Sequence, residues 1–197
     1  MKSDIYKLTK FQEDFCGIPA EAEKVGRYNQ LDRRSVLRLR LLSEELICLL
    51  PQLLIYGSGK FWIENTEKDY ELHIEVTPDD KDIDIDKVLS VSSSGKNAAA
   101  KGLVGRITAA VEQMMSTRAK LQQSDPYGVW TTGLCDFEEG MIWTLSAYRN
   151  GFGDEQTKAD NAEEWDELEK SIIANIADDV VVGVLGGKVD IVVKKTF

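Results

Sequence analysis

The chain has 197 residues, of which 43% are hydrophobic and 29% charged, and its formal net charge at pH 7 is −10. This length and composition predict one globular domain with a core of its own. The acidic charge repels nucleic-acid phosphates and anionic lipid, so we expect neither as a partner. The longest uncharged stretch, residues 46–59, contains Pro51 and is shorter than the roughly 20 apolar residues of a membrane span.

The cysteine and histidine content limits the chemistry that the chain can perform. The three scattered cysteines (Cys16, Cys48 and Cys135) cannot form a closed disulfide framework, and the N-terminus has no signal-peptide pattern. We therefore expect a cytoplasmic protein with reduced thiols. The single histidine, His73, leaves little material for a zinc cluster or a Ser-His-Asp triad. It falls on the polar face of an alternating run over residues 70–76, so we expect a solvated or edge-strand histidine.

The first half of the chain predicts two helices followed by a β-hairpin. The helices cover residues 20–29 and 35–50, and Asp32 suits the N-cap of the second. Apolar positions surround most of the second helix in its C-terminal half, which is therefore expected to be buried. Alternating residues over 60–65 and 70–76 form the hairpin.

The second half of the chain predicts further helices and a closing hairpin. The pattern gives a helix over 98–123, short strands near Trp130 and over 141–147, a polar loop over 151–160, a helix over 162–178, and hairpin strands over 179–185 and 188–193. Together these elements predict an α+β fold, a two-layer sandwich with helices on one face of a mixed, mainly antiparallel sheet.

Two loops raise the question of a bound ion. The acidic run over residues 79–86 lacks the glycine and the bidentate glutamate of a calcium loop, since those positions are Ile85 and Val91. Residues 94–97, Ser-Gly-Lys-Asn, precede a helix as phosphate loops do, but Ser90 stands where a P-loop needs glycine. This leaves either an anion-binding nest of backbone amides or a capped loop.

Two segments carry a resemblance to a known family. Residues 40–48 with 59–63 and 71–76, and residues 168–182 followed by 187–194, resemble the GHKL (histidine kinase-like) ATPases, nearest their anti-sigma factor serine-kinase branch. The resemblance implies the GHKL fold over residues 1–197, with residues 79–160 as a variable lid and insert. It also implies ATP or ADP as a ligand and a regulatory protein partner such as a sigma factor or its antagonist. A homodimer is compatible with it.

The resemblance assigns roles to individual positions. It implies that Glu44 activates the attacking group, and it places Cys48 where the family has a magnesium-binding asparagine, which makes magnesium doubtful because this ion prefers oxygen ligands. The adenine-binding aspartate corresponds to Asp79 or Asp80, without the family's two glycines. The candidate nucleotide-binding residues are Cys48, Asp79, Asp80, Ser94, Gly95, Lys96, Asn97, Lys101, Gly102 and Gly105.

Alternatives to these assignments remain open, including whether the chain is an enzyme. Glu44 could instead form an i,i+4 ion pair with Arg40. The fold could serve as a pseudo-ATPase, a protein-interaction module that binds no nucleotide. An enzyme with Cys48 or Cys135 as nucleophile is a third reading, although Cys48 lies among leucines, where burial would raise the pKa of its thiol. Trp130, Trp143 and Tyr148 are either an exposed apolar patch or part of the core.

Overall fold

The computed structural model describes residues 1–9, 17–53, 56–78, 102–124, 142–153 and 155–197. The helices are α1 (Gly17–Tyr28), α2 (Arg33–Leu53), α3 (Gly102–Ser124), α4 (Leu145–Asn150), α5 (Glu155–Asp160), α6 (Ala162–Lys170) and α7 (Ile172–Ile176). The strands are β1 (Tyr6–Thr9), β2 (Tyr56–Thr66), β3 (Asp69–Pro78), β4 (Ile142–Thr144), β5 (Asp179–Leu185) and β6 (Lys188–Thr196).

The described strands form one six-stranded sheet in the order β1-β2-β3-β6-β5-β4. Every neighbouring pair in it is antiparallel. The predicted α+β class is confirmed, but the expectation of a mixed sheet is wrong for the strands described. The C-terminal hairpin β5–β6 lies inside the sheet, because β6 pairs with β3 on one side and with β5 on the other.

One face of the sheet and the apolar faces of the helices form a single hydrophobic core. Alternate residues of β3, such as Leu72, Ile74 and Val76, are buried, while those between them are half-exposed. On α2, Leu39, Leu42, Leu46 and Leu50 are buried, following the spacing of one helix face, and belong to the same core. The helices therefore cover one face of the sheet, as a two-layer arrangement requires.

The start of α2 is fixed by the predicted cap. Asp32 Oδ1 accepts hydrogen bonds from the backbone amides of Arg34 (2.8 Å) and Ser35 (3.2 Å). These bonds satisfy two of the amides that a helix start leaves without partners. The hydrogen bond from the Ser35 hydroxyl to Asp32 Oδ2 (2.6 Å), followed by these two amides, lowers the pKa of the Asp32 carboxyl. The helix continues through Pro51 to Leu53, beyond its predicted end.

Three predictions for the second half are corrected. The helix expected over 162–178 is interrupted at Ser171, whose backbone is extended (φ −69°, ψ 122°) and whose hydroxyl accepts a hydrogen bond from the Ala174 amide (3.2 Å). The loop expected over 151–160 contains α5 and the buried Phe152. The strand expected over 141–147 is confined to β4, because Thr144 caps α4 directly after it. The strand expected near Trp130 lies outside the described residues.

The closing hairpin is confirmed. Its strands pair from Asp179 opposite Lys194 to Leu185 opposite Lys188. Gly186 (φ 61°) and Gly187 (φ 82°) form the turn, and both occupy left-handed backbone conformations that favour glycine.

Candidate functional site

Glu44 and Cys48 both lie on the exposed side of α2, one helical turn apart. Their neighbours Ser43 and Ile47 are buried, so the polar pair and the core residues occupy different sides of the helix. The expectation that the C-terminal half of this helix buries Cys48 is therefore wrong. Four-residue spacing places the Glu44 carboxylate and the Cys48 thiol side by side on one surface.

The predicted ion pair between Arg40 and Glu44 is wrong. The Arg40 guanidinium instead contacts Glu23 of α1, at 3.0 Å from its Oε2, and Arg27 contacts the other oxygen of the same carboxylate. Within the described residues, Glu44 forms no ion pair. Its carboxylate is therefore exposed on the surface of α2 and is not held by Arg40.

Most of the other predicted ligands cannot be placed beside Glu44. Asp79, Asp80, Ser94, Gly95, Lys96, Asn97 and Lys101 lie outside the described residues. Gly102 is the first residue of α3, and Gly105 is buried within that helix, which contacts α2 and β5. Burial of Gly105 fits the close-packing explanation for this glycine.

The donor atoms at this site do not fit a magnesium ion. Glu44 offers carboxylate oxygens, but Cys48 offers sulfur, whereas magnesium requires oxygen ligands in octahedral geometry. Within the part of the chain that the structure describes, no group of three or more His, Cys, Asp and Glu side chains is arranged to hold a metal ion. We therefore derive no magnesium-dependent step from this surface.

The sheet face opposite the helices carries a second feature, which sequence reasoning placed wrongly. His73 lies on the interior strand β3, and its imidazole stacks on the Trp62 indole of β2 with centroids 4.8 Å apart and an interplanar angle of 2°. Only 17% of its side chain is exposed. The solvated or edge histidine that we expected is thus a half-buried, stacked one.

Charged groups surround this stack. Glu64 Oε1 accepts a hydrogen bond from the Trp62 indole (2.7 Å) and pairs with Lys2 (2.9 Å), and Glu71 Oε2 lies 3.4 Å from His73 Nε2. Burial lowers the pKa of His73 below its ordinary value, because it penalises the charged imidazolium, while the carboxylates of Glu64 and Glu71 oppose that shift. The alternating pattern of residues 70–76 predicted the face but gave no sign of the Trp62 partner.

The aromatic residues of the C-terminal half pack together rather than form an exposed patch. Trp143 contacts Tyr148 (centroids 6.0 Å apart), Tyr148 contacts Phe152 (5.1 Å), and Phe152 contacts Trp165 (5.3 Å). Trp143 and Tyr148 are partly buried against the core, so the core explanation is confirmed for these two. Trp130 and Cys135 lie outside the described residues.

No protein-family model, curated protein or solved structure matches this chain. Among the described residues, none of the helices is long and apolar enough to cross a membrane.

Proposed function

We propose that this protein is an anti-sigma-like regulator built on a histidine kinase-like ATPase scaffold, and that it binds ATP or ADP weakly or atypically beside α2. The observation that carries the proposal is the exposure of Glu44 and Cys48, one turn apart, on a helix packed over an antiparallel sheet. In the family that the sequence resembles, these two positions face the nucleotide. An exposed carboxylate without an ion pair in the described part of the chain is compatible with that role.

The residue at position 48 also supports the proposal. Phosphoryl transfer depends on positioning and on neutralising charge, which magnesium normally supplies. With a thiol at position 48, the surface offers no oxygen ligand there, and we infer that nucleotide acts as a signal that changes the protein's affinity for its partner. In this proposal the regulated activity is binding to another protein, with Glu44 as the residue nearest any residual chemistry.

Thermal unfolding in the presence of nucleotide tests this proposal. At a concentration of about 100 times Kd, a ligand adds about 2.7 kcal/mol to stability, which raises the Tm of a domain of this size by about 5–10 °C. We expect ADP, and ATP with or without magnesium, to raise Tm, and the dependence on magnesium to be small. Unchanged Tm at millimolar ATP and ADP would contradict nucleotide binding.

A matched pair of variants locates the binding surface. Cys48→Tyr places a bulky side chain on the exposed side of α2, where it need not disturb the core, and should remove the nucleotide-dependent rise in Tm. Lys68→Tyr places the same bulky side chain in the exposed turn between β2 and β3 and should leave the rise intact. Equal loss in both variants would contradict the assignment to α2.

A second candidate is a pseudo-ATPase that binds protein partners without nucleotide. The specific observation that favours it is Cys48, exposed where the resemblance requires an oxygen ligand for magnesium. In that case, calorimetric titration with ATP and ADP gives no heat of binding, while the chain still binds a protein partner. Saturable nucleotide binding that Cys48→Tyr abolishes would exclude this candidate.

A further inference from the structure

The N-terminal half of α2 carries a positive surface on an otherwise acidic chain. Between residues 24 and 40 the sequence has six basic residues and one acidic residue, Asp32, although the whole chain has a net charge of −10. Arg33, Arg34 and Arg38 are all exposed. Within the described residues none of these three forms an ion pair, whereas Arg27 and Arg40 both contact Glu23.

Two of these arginines lie where a helix disfavours positive charge, and two lie close enough to repel each other. The N-terminal end of a helix is positive, so Arg33 and Arg34 are unfavourable in the first turn of α2, which contains no acidic residue, although the Asp32 carboxylate at the cap attracts Arg34. Arg34 and Arg38 are four residues apart, a spacing at which like charges repel each other. Charges placed against the local preferences of a helix are characteristic of functional surfaces.

An exposed apolar side chain lies among these charges. Leu37 is 52% exposed and is three residues from Arg34 and four from Arg33, so the three side chains are neighbours on the helix surface. At the end of α1, just before this helix, Tyr28 is 74% exposed. Arginines around an apolar or aromatic anchor are typical of protein–protein interfaces.

We propose that the surface formed by Arg33, Arg34, Leu37 and Arg38 binds an acidic segment of a partner protein that also carries an apolar side chain. Guanidinium groups hold carboxylates with paired, directional hydrogen bonds, and Leu37 would bury an apolar side chain of the partner. Asp32 already occupies the amides at the helix start, so a lone phosphate is not the ligand expected there. The net charge of −10 opposes long polyanions such as nucleic acid or an anionic membrane.

This inference names the chemistry of the protein partner that the proposed function requires, but it does not depend on nucleotide. Its test is made with the full chain in the absence of ATP and ADP. Nucleotide binding is measured separately by calorimetry, so either proposal can fail while the other stands.

The experiment measures the binding of a fluorescently labelled peptide of alternating Glu and Leu blocks by anisotropy, at low and high salt. We expect binding that weakens with salt and that is about tenfold weaker in Arg33→Gln/Arg34→Gln/Arg38→Gln. Leu37→Ser should weaken it as well. Arg34→Gln should weaken it more than Lys68→Gln, a matched loss of one charge in the exposed β2–β3 turn.

Three binding results would overturn the proposal. One is the absence of peptide binding by the wild-type chain, and another is equal binding by the triple variant. The third is preferential, arginine-dependent binding of single-stranded DNA or of vesicles containing anionic lipid. Urea unfolding provides an independent readout, since the triple variant should be at least as stable as the wild type. A clear loss of stability would show that the arginines hold the fold and would likewise contradict the proposal.

Discussion

Gly59 is the position at which the packing of the sheet can be tested most sharply. It lies in β2 between Leu8 of β1 and Val76 of β3, both of which are fully buried. A Cβ atom added at Gly59 would meet Val76 Cγ1 at 2.6 Å, the Glu75 carbonyl oxygen at 2.9 Å and Leu8 Cβ at 3.4 Å. The first two distances are shorter than van der Waals contact allows, so the substitution Gly59→Ala forces neighbouring atoms to move.

The expected cost follows from which atoms stand in the way. Val76 is β-branched and therefore stiff at χ1, and the Glu75 carbonyl belongs to the sheet backbone, so neither yields easily. Overpacking of this kind costs about 1–3 kcal/mol, partly offset by the reduced freedom of the unfolded chain, worth about 0.5–1 kcal/mol. We expect a net loss of about 1–2 kcal/mol and a Tm lower by about 2–8 °C.

Gly57→Ala is the matched control for this prediction. The same strand carries Gly57 two residues earlier, but a Cβ there has no atom within 4 Å. This variant should therefore be neutral or slightly stabilising in urea unfolding monitored by circular dichroism. If Gly59→Ala proves as stable as Gly57→Ala, the register that joins β1, β2 and β3 is wrong.

Three further predictions concern the cap, the core and the stacked histidine. Asp32→Ala should lower the free energy of unfolding by about 1 kcal/mol, whereas Asp32→Asn, which keeps a hydrogen-bond acceptor, should retain most of the wild-type stability. Equal losses in the two variants would contradict the capping role. Leu42→Ala should cost about 2–5 kcal/mol, whereas Leu37→Ala on the exposed side should stay within about 0.5 kcal/mol, and similar values would contradict the orientation of α2. Burial holds the pKa of His73 below the ordinary value of 6.5 that it has in the unfolded chain, so protonation of this residue favours unfolding. The contribution of neutral His73 to the free energy of unfolding is therefore complete above pH 6.5 and is lost as the pH falls from 6.5 through the lower pKa of the folded state. His73→Gln should flatten this fall in urea titrations between neutral and mildly acidic pH, and an unchanged slope would contradict it.

Local patterns predicted the elements that depend on neighbouring residues. The cap at Asp32 and the leucine spacing of α2 are both encoded within one or two helical turns, and the Gly186–Gly187 turn carries its own backbone requirement. The break at Ser171 was missed, because the helical spacing of apolar residues continues across it. The sequence feature that indicates this break is Ser171 itself, because a serine side chain caps a new helix by accepting a hydrogen bond from the amide three residues later, here that of Ala174.

Features that depend on distant residues could not be predicted from one sequence. The alternation around His73 gives the face of a strand but not its neighbours, and β6, which makes β3 an interior strand, comes far later in the chain. In the same way, the spacing within α2 indicated Glu44 as a partner for Arg40, whereas the Arg40 guanidinium contacts the carboxylate of Glu23 on α1. The four-residue spacing of Glu44 and Cys48 places both on the same side of α2. The apolar residues around the end of α2 nevertheless indicated a buried Cys48, so its exposure was not predicted.

Placing an oxygen ligand at position 48 tests the central claim most directly. Cys48→Asn places an amide oxygen one turn after Glu44, where the resemblance puts the magnesium-binding residue, and Cys48→Ala serves as the control that removes the thiol without adding oxygen. Calorimetric titration of each variant with ATP, with and without magnesium, measures the effect. We predict that magnesium strengthens ATP binding by Cys48→Asn but has little effect on the wild type or Cys48→Ala. No magnesium-dependent gain in Cys48→Asn would contradict a histidine kinase-like nucleotide site on this face of α2.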